Sequence, residues 1–155
     1  MTGEARHRSR EVALQVLFAL DLQSRERGGP KASAGTGVRD LDPESVFAEV
    51  AANFELPEAA EAFARELVLK TTAMRDELDS SIGAHARNWR VERMAVVDRN
   101  VLRLGAYELA HTDTATPVIL DEAVELARRF GNDPSPAFVN GVLDALATTL
   151  RGEVA

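Results

Sequence analysis

Apolar residues recur at helical spacing along almost the whole chain, and this periodicity restricts the fold more than any other feature. In the first apolar segment, Val12, Val16, Leu17 and Leu20 fall on one face of a helix predicted over about residues 6–25. No segment alternates apolar and polar residues over the length of a strand. The pattern therefore predicts an all-α fold of about six or seven helices without a sheet.

Prolines and capping residues divide the rest of the chain into helices. Asp42-Pro43 and Ser135-Pro136 each place a capping side chain before a proline, which suits the first turn of a helix, and Gly131 suits a helix end. A bend or short helical turn is predicted around residues 89–97. The last helix is expected to bury Phe138, Val139, Val142, Leu143, Leu146 and Leu150. The predicted helices cover about 43–53, 57–86, 98–110, 117–130 and 135–150.

The stretch after the first helix, GGPKASAGTG, is rich in Gly, Ser and Ala around a proline. It predicts a mobile loop over about residues 28–42. The helix before this loop is too apolar to stand alone, so the whole chain, 1–155, is expected to form one compact domain with N- and C-terminal helical halves.

Composition excludes several classes of protein. The chain has no cysteine, so disulfide frameworks and thiolate metal sites are excluded. The polar, arginine-rich N-terminus has no apolar run of the length of a signal peptide or membrane span, so a soluble, cytoplasmic protein is expected.

Charge is unevenly distributed, although the net charge is −7. Residues 1–39 hold seven Lys and Arg against four Asp and Glu, a net +3, and the remainder holds eleven against twenty-one, a net −10. Because charges beyond about 8 Å are largely screened at physiological salt, a basic end on an acidic body can still bind phosphate locally.

Two segments are candidates for nucleic-acid binding. In RHRSR, Arg6 and Arg10 lie one helical turn apart with Arg8 beside them, and guanidinium groups bind phosphate by forked hydrogen bonds. The segment from Phe130 to Phe138 offers aromatic rings, the Asn132 carboxamide and the helix start at Ser135 to a single-stranded RNA. The alternatives are a solvated terminus and a well-capped turn with both phenylalanines buried.

No constellation indicates catalysis, a cofactor or a metal. Glu4…His7 and Glu108…His111 have the spacing of di-iron helical bundles, but they are interpreted as surface residues at a chance spacing. The carboxylates of Asp121, Glu122 and Glu125 favour the positive end of a helix dipole. The chain is therefore expected not to be an enzyme.

Four segments in order carry a resemblance: RHRSREVALQVLFALDL, VVDRNVLRLGAYEL, PVILDEAVELARRFG and SPAFVNGVLD. With them the chain resembles the NusB family of bacterial transcription antitermination factors. The resemblance covers the first helix and nearly everything from residue 89 to 150. It implies an all-α fold of seven helices in two helical halves.

The resemblance also implies partners. NusB proteins pair with NusE, a protein of the small ribosomal subunit, and the pair binds boxA, a single-stranded RNA element of ribosomal RNA transcripts. With RNA polymerase and other Nus factors they form a complex that resists termination, without cofactor or catalysis. Some members form dimers that bury the RNA surface, so the resemblance admits a homodimer.

Site residues follow from the matching positions. Arg6, Arg8, Arg10 and Phe138 are implied to contact RNA, and Asn132 and Ser135 of the loop between Phe130 and Phe138 are expected to contact it as well. Phe18, Glu92 and Asp98 are implied to face the protein partner. Two departures stand out: the loop reads NDPSP, with extra prolines, and Phe18 replaces a tyrosine common in the family, so a hydroxyl is lost.

Two other functions remain open at this point. The same helical fold occurs as the RNA-binding part of some RNA methyltransferases, but this chain has neither catalytic cysteines nor a Gly-rich cofactor loop, so it matches at most an accessory fragment of such an enzyme. The second alternative is a helical adaptor that binds protein without RNA. The salt dependence of binding distinguishes an RNA-binding protein from such an adaptor, because binding through arginine–phosphate contacts weakens steeply with salt.

Overall fold

A computed structural model describes residues 1–27 and 42–152, so nearly all of the predicted loop at 28–42 lies outside the described residues. Within these ranges the chain forms seven α-helices and one 3-10 helix, η1, and no strand, which confirms the all-α prediction. The helices are α1 (Gly3–Arg27), α2 (Pro43–Ala51), α3 (Glu58–Ala73), α4 (Arg75–His85), η1 (Val91–Arg93), α5 (Val96–His111), α6 (Thr116–Phe130) and α7 (Ser135–Arg151).

The chain divides into two compact units, Met1–Leu69 and Lys70–Ala155. In the first unit, the Ser9 hydroxyl of α1 donates a hydrogen bond of 2.8 Å to the carbonyl oxygen of Ala60 in α3. The fully buried ring of Phe47 belongs to α2, and the Arg65 guanidinium of α3 lies over it at 5.3 Å. Polar side chains on α1 and α3 thus supplement the apolar core of this unit.

The second unit is built around α5, which contacts α4, α6 and α7. All residues from Arg99 to Leu109 are buried. A Cβ atom on Gly105 would come within 2.6 Å of Leu143 Cδ1, so the glycine permits the close approach of α5 and α7. The Arg103 guanidinium binds both carboxylate oxygens of Asp79 in α4, at 2.7 and 2.9 Å, so the buried cation is paired in the forked geometry that arginine prefers.

The long helix predicted over 57–86 is wrong, because Met74 separates α3 from α4. Met74 leaves the helical region at φ −104° and ψ 14°, yet its N–H still bonds to Lys70 O and its carbonyl still accepts from Leu78 N. The β-branched residues Thr71 and Thr72 precede the break and have weaker helix propensity. Since the apolar pattern continues across Met74, periodicity alone does not reveal a break of one residue.

Helix ends give a mixed result. The Asp42 side chain caps α2 as predicted, by accepting from Glu44 N, and η1 forms within the predicted bend at 89–97. Ser135 is not the cap of the last helix: Pro134 holds that position and Ser135 is the first helical residue. Leu150 is 43% exposed rather than buried, because it lies in the last turn of α7.

Candidate nucleic-acid interface

The start of α1 presents charged side chains to solvent. Arg6 and Arg8 are both exposed, and no ion pair joins either of them to another residue of the described chain. Thr2 Oγ1 accepts a hydrogen bond of 3.0 Å from Ala5 N, which satisfies one free donor of the helix start. The structure therefore leaves both guanidinium groups accessible to phosphate, and the RNA contacts of Arg6 and Arg8 stay a prediction.

Arg10 differs from these two arginines. Its residue is only 2% exposed, and its guanidinium lies over the Phe63 ring at 5.4 Å from the centroid. The RNA contact inferred for Arg10 stays a prediction, but an enclosed guanidinium has less access to phosphate. Helical spacing places Arg10 on the same face as Arg6, but it cannot predict that Arg10 packs on the Phe63 ring of α3.

Phe18 and Glu92, two of the predicted partner contacts, keep accessible surface. Phe18 is half-buried on α1. The Glu92 side chain is exposed in η1, with one carboxylate oxygen 3.8 Å from Arg90 Nη1. An exposed pair at this distance contributes at most about 1 kcal/mol, so Glu92 remains available to a cation of a partner.

The turn between α6 and α7 is tightly built. The Ser135 hydroxyl, in a residue 1% exposed, accepts a hydrogen bond of 3.0 Å from Asn132 N, while the Asn132 side chain is exposed. Gly131 follows α6 as predicted, but with an extended backbone: a Cβ there would lie 2.7 Å from Ser135 Oγ and 2.8 Å from Ala127 O. Ser135 therefore supports the turn from inside, whereas the side chains of Asn132 and Asp133 are both exposed.

Next to this turn the second unit contains a groove of about 280 Å³, called here the aromatic groove. The rings of Trp89 and Phe138 form an edge contact in it, with centroids 6.0 Å apart and an interplanar angle of 65°. Phe130 and Phe138 are both half-buried. They are therefore neither fully exposed for RNA nor fully buried in a capped turn, the two alternatives that the sequence allows. The groove is lined by Trp89, Met94, Ala95, Asp98, Pro134 and Phe138.

Asp98 is the charged residue of the aromatic groove. Its Oδ1 atom is buried and has no hydrogen-bond partner in the described part of the chain. A residue predicted to face the protein partner, Asp98, therefore lines the same groove as Phe138, which is predicted to contact RNA. The proximity of Asp98 and Phe138 is not predictable from local sequence patterns, because 40 positions separate the two residues along the chain.

Trp89 lines the groove but is not among the site residues predicted from the sequence, where it only marks the start of a predicted bend. It follows Asn88, whose φ of 67° lies in the left-handed region that asparagine tolerates better than most residues. The available signal is the run RNWR, in which arginines flank an aromatic residue, a combination suited to nucleic acid.

Neither a metal site nor a membrane span is found in the described ranges. Across residues 1–27 and 42–152, no three His, Asp or Glu side chains are grouped as ligands of a metal ion. His7 instead forms a contact of 2.8 Å with Glu11, one helical turn away. No helix in these ranges has both the length and the apolar character needed to cross a membrane.

These features define a small all-helical protein with an arginine-bearing helix start and an aromatic groove. A family model described as the NusB family matches residues 7–148, and the chain belongs to that family. The transcription antitermination protein NusB of Myxococcus xanthus is 42% identical over 148 residues, 95% of this chain and 97% of that protein.

Solved structures of NusB proteins have a fold similar to that of this chain. NusB from T. maritima superposes with a TM-score of 0.75 at 33% identity, covering 92% of this chain and 90% of that one. A crystal structure of the antitermination factors NusB and NusE in complex with double-stranded RNA contains a chain that superposes with a TM-score of 0.76 at 28% identity, covering 96% and 99%. The expected family and its helical fold are confirmed.

Proposed function

We propose that this chain is a transcription antitermination protein. It binds boxA-type single-stranded RNA of ribosomal RNA transcripts together with NusE, and it joins the complex in which RNA polymerase and other Nus factors resist termination. It acts in the cytoplasm, where bacterial transcription takes place, and it catalyses no reaction. The observation that carries this proposal is membership of the NusB family over residues 7–148.

The names of the relatives support both the activity and the partners. The Myxococcus xanthus relative, which this chain matches over 95% of its length, is named a transcription antitermination protein. The crystal structure of NusB and NusE with double-stranded RNA supports the partners, because it contains a protein of the same fold together with NusE and an RNA.

The surface charges also suit two partners, RNA at one surface and a basic protein at another. The exposed guanidinium groups of Arg6 and Arg8 provide phosphate contacts that are independent of base sequence. The exposed carboxylate of Glu92 suits a basic protein such as NusE, because complementary charges direct association and orient the partners.

The aromatic groove suits binding better than acid–base catalysis. Its one titratable side chain, Asp98, is accompanied by apolar and aromatic residues rather than by a second acid or base within reach of the same substrate.

The first test is fluorescence anisotropy of a labelled boxA-like RNA titrated with the full chain, with and without NusE, at low and physiological salt. We expect binding that NusE strengthens and that salt weakens, because arginine–phosphate contacts release counterions when they form. A labelled RNA of the same composition but scrambled sequence is the control, and it should bind more weakly in the presence of NusE.

Two results would count against the proposal. If no RNA binds with or without NusE while NusE itself is bound, the chain is a protein-binding adaptor. If boxA-like and scrambled RNA bind equally under every condition, the chain is a general RNA-binding protein.

A further inference from the structure

We propose that Arg99 is a positioning residue for the surface that binds the protein partner. It holds η1 from inside the second unit and thereby fixes the direction in which the Glu92 carboxylate faces a basic partner. This inference rests on the proposed function, because the partner that tests it is NusE, and it names the buried side chain on which the geometry of that contact depends.

The 3-10 helix η1 is too short to fix its own orientation. It has three residues, and the side chain before it, Arg90, makes no cap hydrogen bond. Its backbone hydrogen bonds run from Arg93 N to Arg90 O at 2.9 Å and from Met94 N to Val91 O at 3.1 Å. Bonds of this 3-10 type have poorer geometry than those of an α-helix. The orientation of Glu92 therefore depends on contacts from outside the turn.

Two apolar side chains anchor η1 to the second unit. Val91 and Met94 are both buried, and residues three apart lie on the same side of a 3-10 helix. Glu92 and Arg93 come between them in sequence and are both exposed. The apolar anchors therefore decide which side of η1 faces solvent, but hydrophobic contacts are not directional and leave small rotations of the turn free.

Arg99 supplies a directional contact. Its Nη1 atom donates a hydrogen bond of 3.3 Å to the carbonyl oxygen of Glu92, and the residue is only 3% exposed. Because the peptide unit is planar, the direction of this carbonyl sets the plane of the peptide that follows and the ψ angle of Glu92. A hydrogen bond to the carbonyl thus fixes the backbone from which the Glu92 side chain extends.

The start of α5, from which Arg99 reaches η1, is itself held by polar contacts. Asn100 Nδ2 donates to Val96 O at 2.9 Å, and Asn100 Oδ1 accepts from Arg103 Nη1 at 3.0 Å. Arg103 in turn binds both carboxylate oxygens of Asp79 in α4. Arg99 therefore extends from a fixed base, so its hydrogen bond transmits the position of α5 to η1.

The orientation of η1 matters because charges of opposite sign are exposed on it. Arg90 and Arg93 are exposed on either side of Glu92 in sequence, and the Glu92 carboxylate lies 3.8 Å from Arg90 Nη1. A basic partner is attracted by the carboxylate and repelled by the guanidinium groups. A small rotation of the turn would exchange a favourable contact for an unfavourable one, which the hydrogen bond from Arg99 opposes.

The test is isothermal titration calorimetry of NusE with the full chain and its variants. Glu92→Gln should raise the Kd about 3- to 10-fold, because the charge that attracts the partner is lost. Arg99→Met should raise the Kd by a similar factor, although the Arg99 side chain is too enclosed to meet the partner. Arg99→Lys keeps a positive charge but lacks the planar fork of donors, so its Kd should lie between those of Arg99→Met and the parent.

A double-mutant cycle separates positioning from an independent effect of Arg99. If Arg99 acts through Glu92, the double variant Glu92→Gln/Arg99→Met should bind NusE within about a factor of two of Glu92→Gln alone, because no carboxylate is left to orient. A role of Arg99 in stability alone predicts no change in the Kd of the folded protein.

Arg103→Lys is the matched control. Arg103 is also a buried arginine of α5, but it binds Asp79 of α4. Its replacement should lower the free energy of unfolding in urea and leave the Kd for NusE as in the parent. Circular dichroism checks that every variant is folded, and binding of boxA-like RNA without NusE should be the same in all of them.

The outcomes distinguish this inference from the proposed function. If the folded Arg99 variants bind NusE as tightly as the parent, Arg99 supports only the fold, and the inference is wrong while the proposed function stands. The same conclusion follows if Glu92→Gln binds like the parent, or if Glu92→Gln and Arg99→Met weaken binding additively. If Arg99→Met does not fold, Arg99→Lys decides between these outcomes. If the parent binds neither NusE nor boxA-like RNA, the proposed function is wrong and the inference with it.

Discussion

The start of α1 and the end of α7 both carry arginines, but the two regions use them in opposite ways. At the start of α1, Arg6 and Arg8 extend into solvent. At the end of α7, the Arg151 guanidinium is enclosed by acceptors at the end of α5 and in the loop that follows it. It donates to the carbonyl oxygens of Glu108 (3.2 Å), Leu109 (3.0 Å), Thr112 (2.9 Å) and Thr114 (2.7 Å) and to Thr116 Oγ1 (3.0 Å).

The difference teaches that the surroundings of an arginine, rather than its residue type, decide whether it binds a ligand or supports the fold. The last carbonyls of a helix have no partners within the helix and carry partial negative charge, so a cation placed among them stabilises the helix end. Arg151 satisfies such carbonyls at the end of α5. Arg6 and Arg8 lie near the positive end of α1, so their favourable partners are anions outside the helix.

Replacing Arg151 by alanine should have the largest effect on stability. Arg151→Ala removes five hydrogen bonds from one charged group and should lower the free energy of unfolding by about 2–4 kcal/mol, measured by urea denaturation. Arg151→Lys should restore only part of the loss, because an ammonium group cannot reach all five acceptors in the arrangement that the planar guanidinium allows. A loss below about 0.5 kcal/mol, as at ordinary surface positions, would show that the enclosed guanidinium contributes little.

Arg10 sharpens the comparison, since it follows the exposed arginines in sequence but is enclosed like Arg151. Arg10→Ala should lower the free energy of unfolding by about 1–3 kcal/mol, because a cation–π contact over Phe63 and the packing of a buried side chain are both lost. Parallel denaturation of Arg8→Ala is the control and should show almost no loss. Equal stability of Arg10→Ala and the parent, combined with weaker RNA binding, would place Arg10 on the RNA surface instead.

The double variant Arg6→Ala/Arg8→Ala should show the smallest change in stability, within about 0.5 kcal/mol, because both side chains are exposed. Its RNA affinity should fall at low salt. The slope of log affinity against log salt concentration should become shallower by about 1.4, which is 0.7 for each phosphate contact to a single strand. Anisotropy over a salt series measures both quantities.

Lys70→Ala is a suitable control for that double variant, because it removes a positive charge that is also exposed but lies on a different helix. It should leave the salt dependence as in the parent. If Lys70→Ala and the arginine variant shift the slope in proportion to the charge removed, RNA responds to net charge rather than to the start of α1.

Local signals in the sequence predict most of the helices. The Asp42 cap and the short turn near Val91 are both present, since each depends on neighbours within a few residues. The break at Met74 could not be predicted in this way, because the apolar stripe and the backbone hydrogen bonds both continue across it. The predicted cap at Ser135 is wrong, because its hydroxyl accepts a hydrogen bond from Asn132 N in the preceding turn and does not cap its own helix.

The candidate site could be predicted only in part. The resemblance carried by short motifs picks out Arg6, Arg8 and Phe138, and the structure leaves all three with accessible surface. The aromatic groove depends on contacts between segments far apart in the chain, which bring Trp89 and Asp98 to the phenylalanine ring. Neither residue belongs to the motif that contains Phe138, so no local pattern connects them.

By itself, the sequence determined the helical class, the position of most helices and the family, because periodicity, capping and ordered motifs are properties of residues close together in the chain. Only the tertiary structure decided which arginines are enclosed and which buried side-chain oxygens of the described residues are left without a hydrogen-bond partner. Burial and hydrogen-bond satisfaction depend on packing between helices: Arg10 lies over a ring of α3, Arg151 reaches the end of α5, and Asp98 lines a groove together with Phe138 of α7.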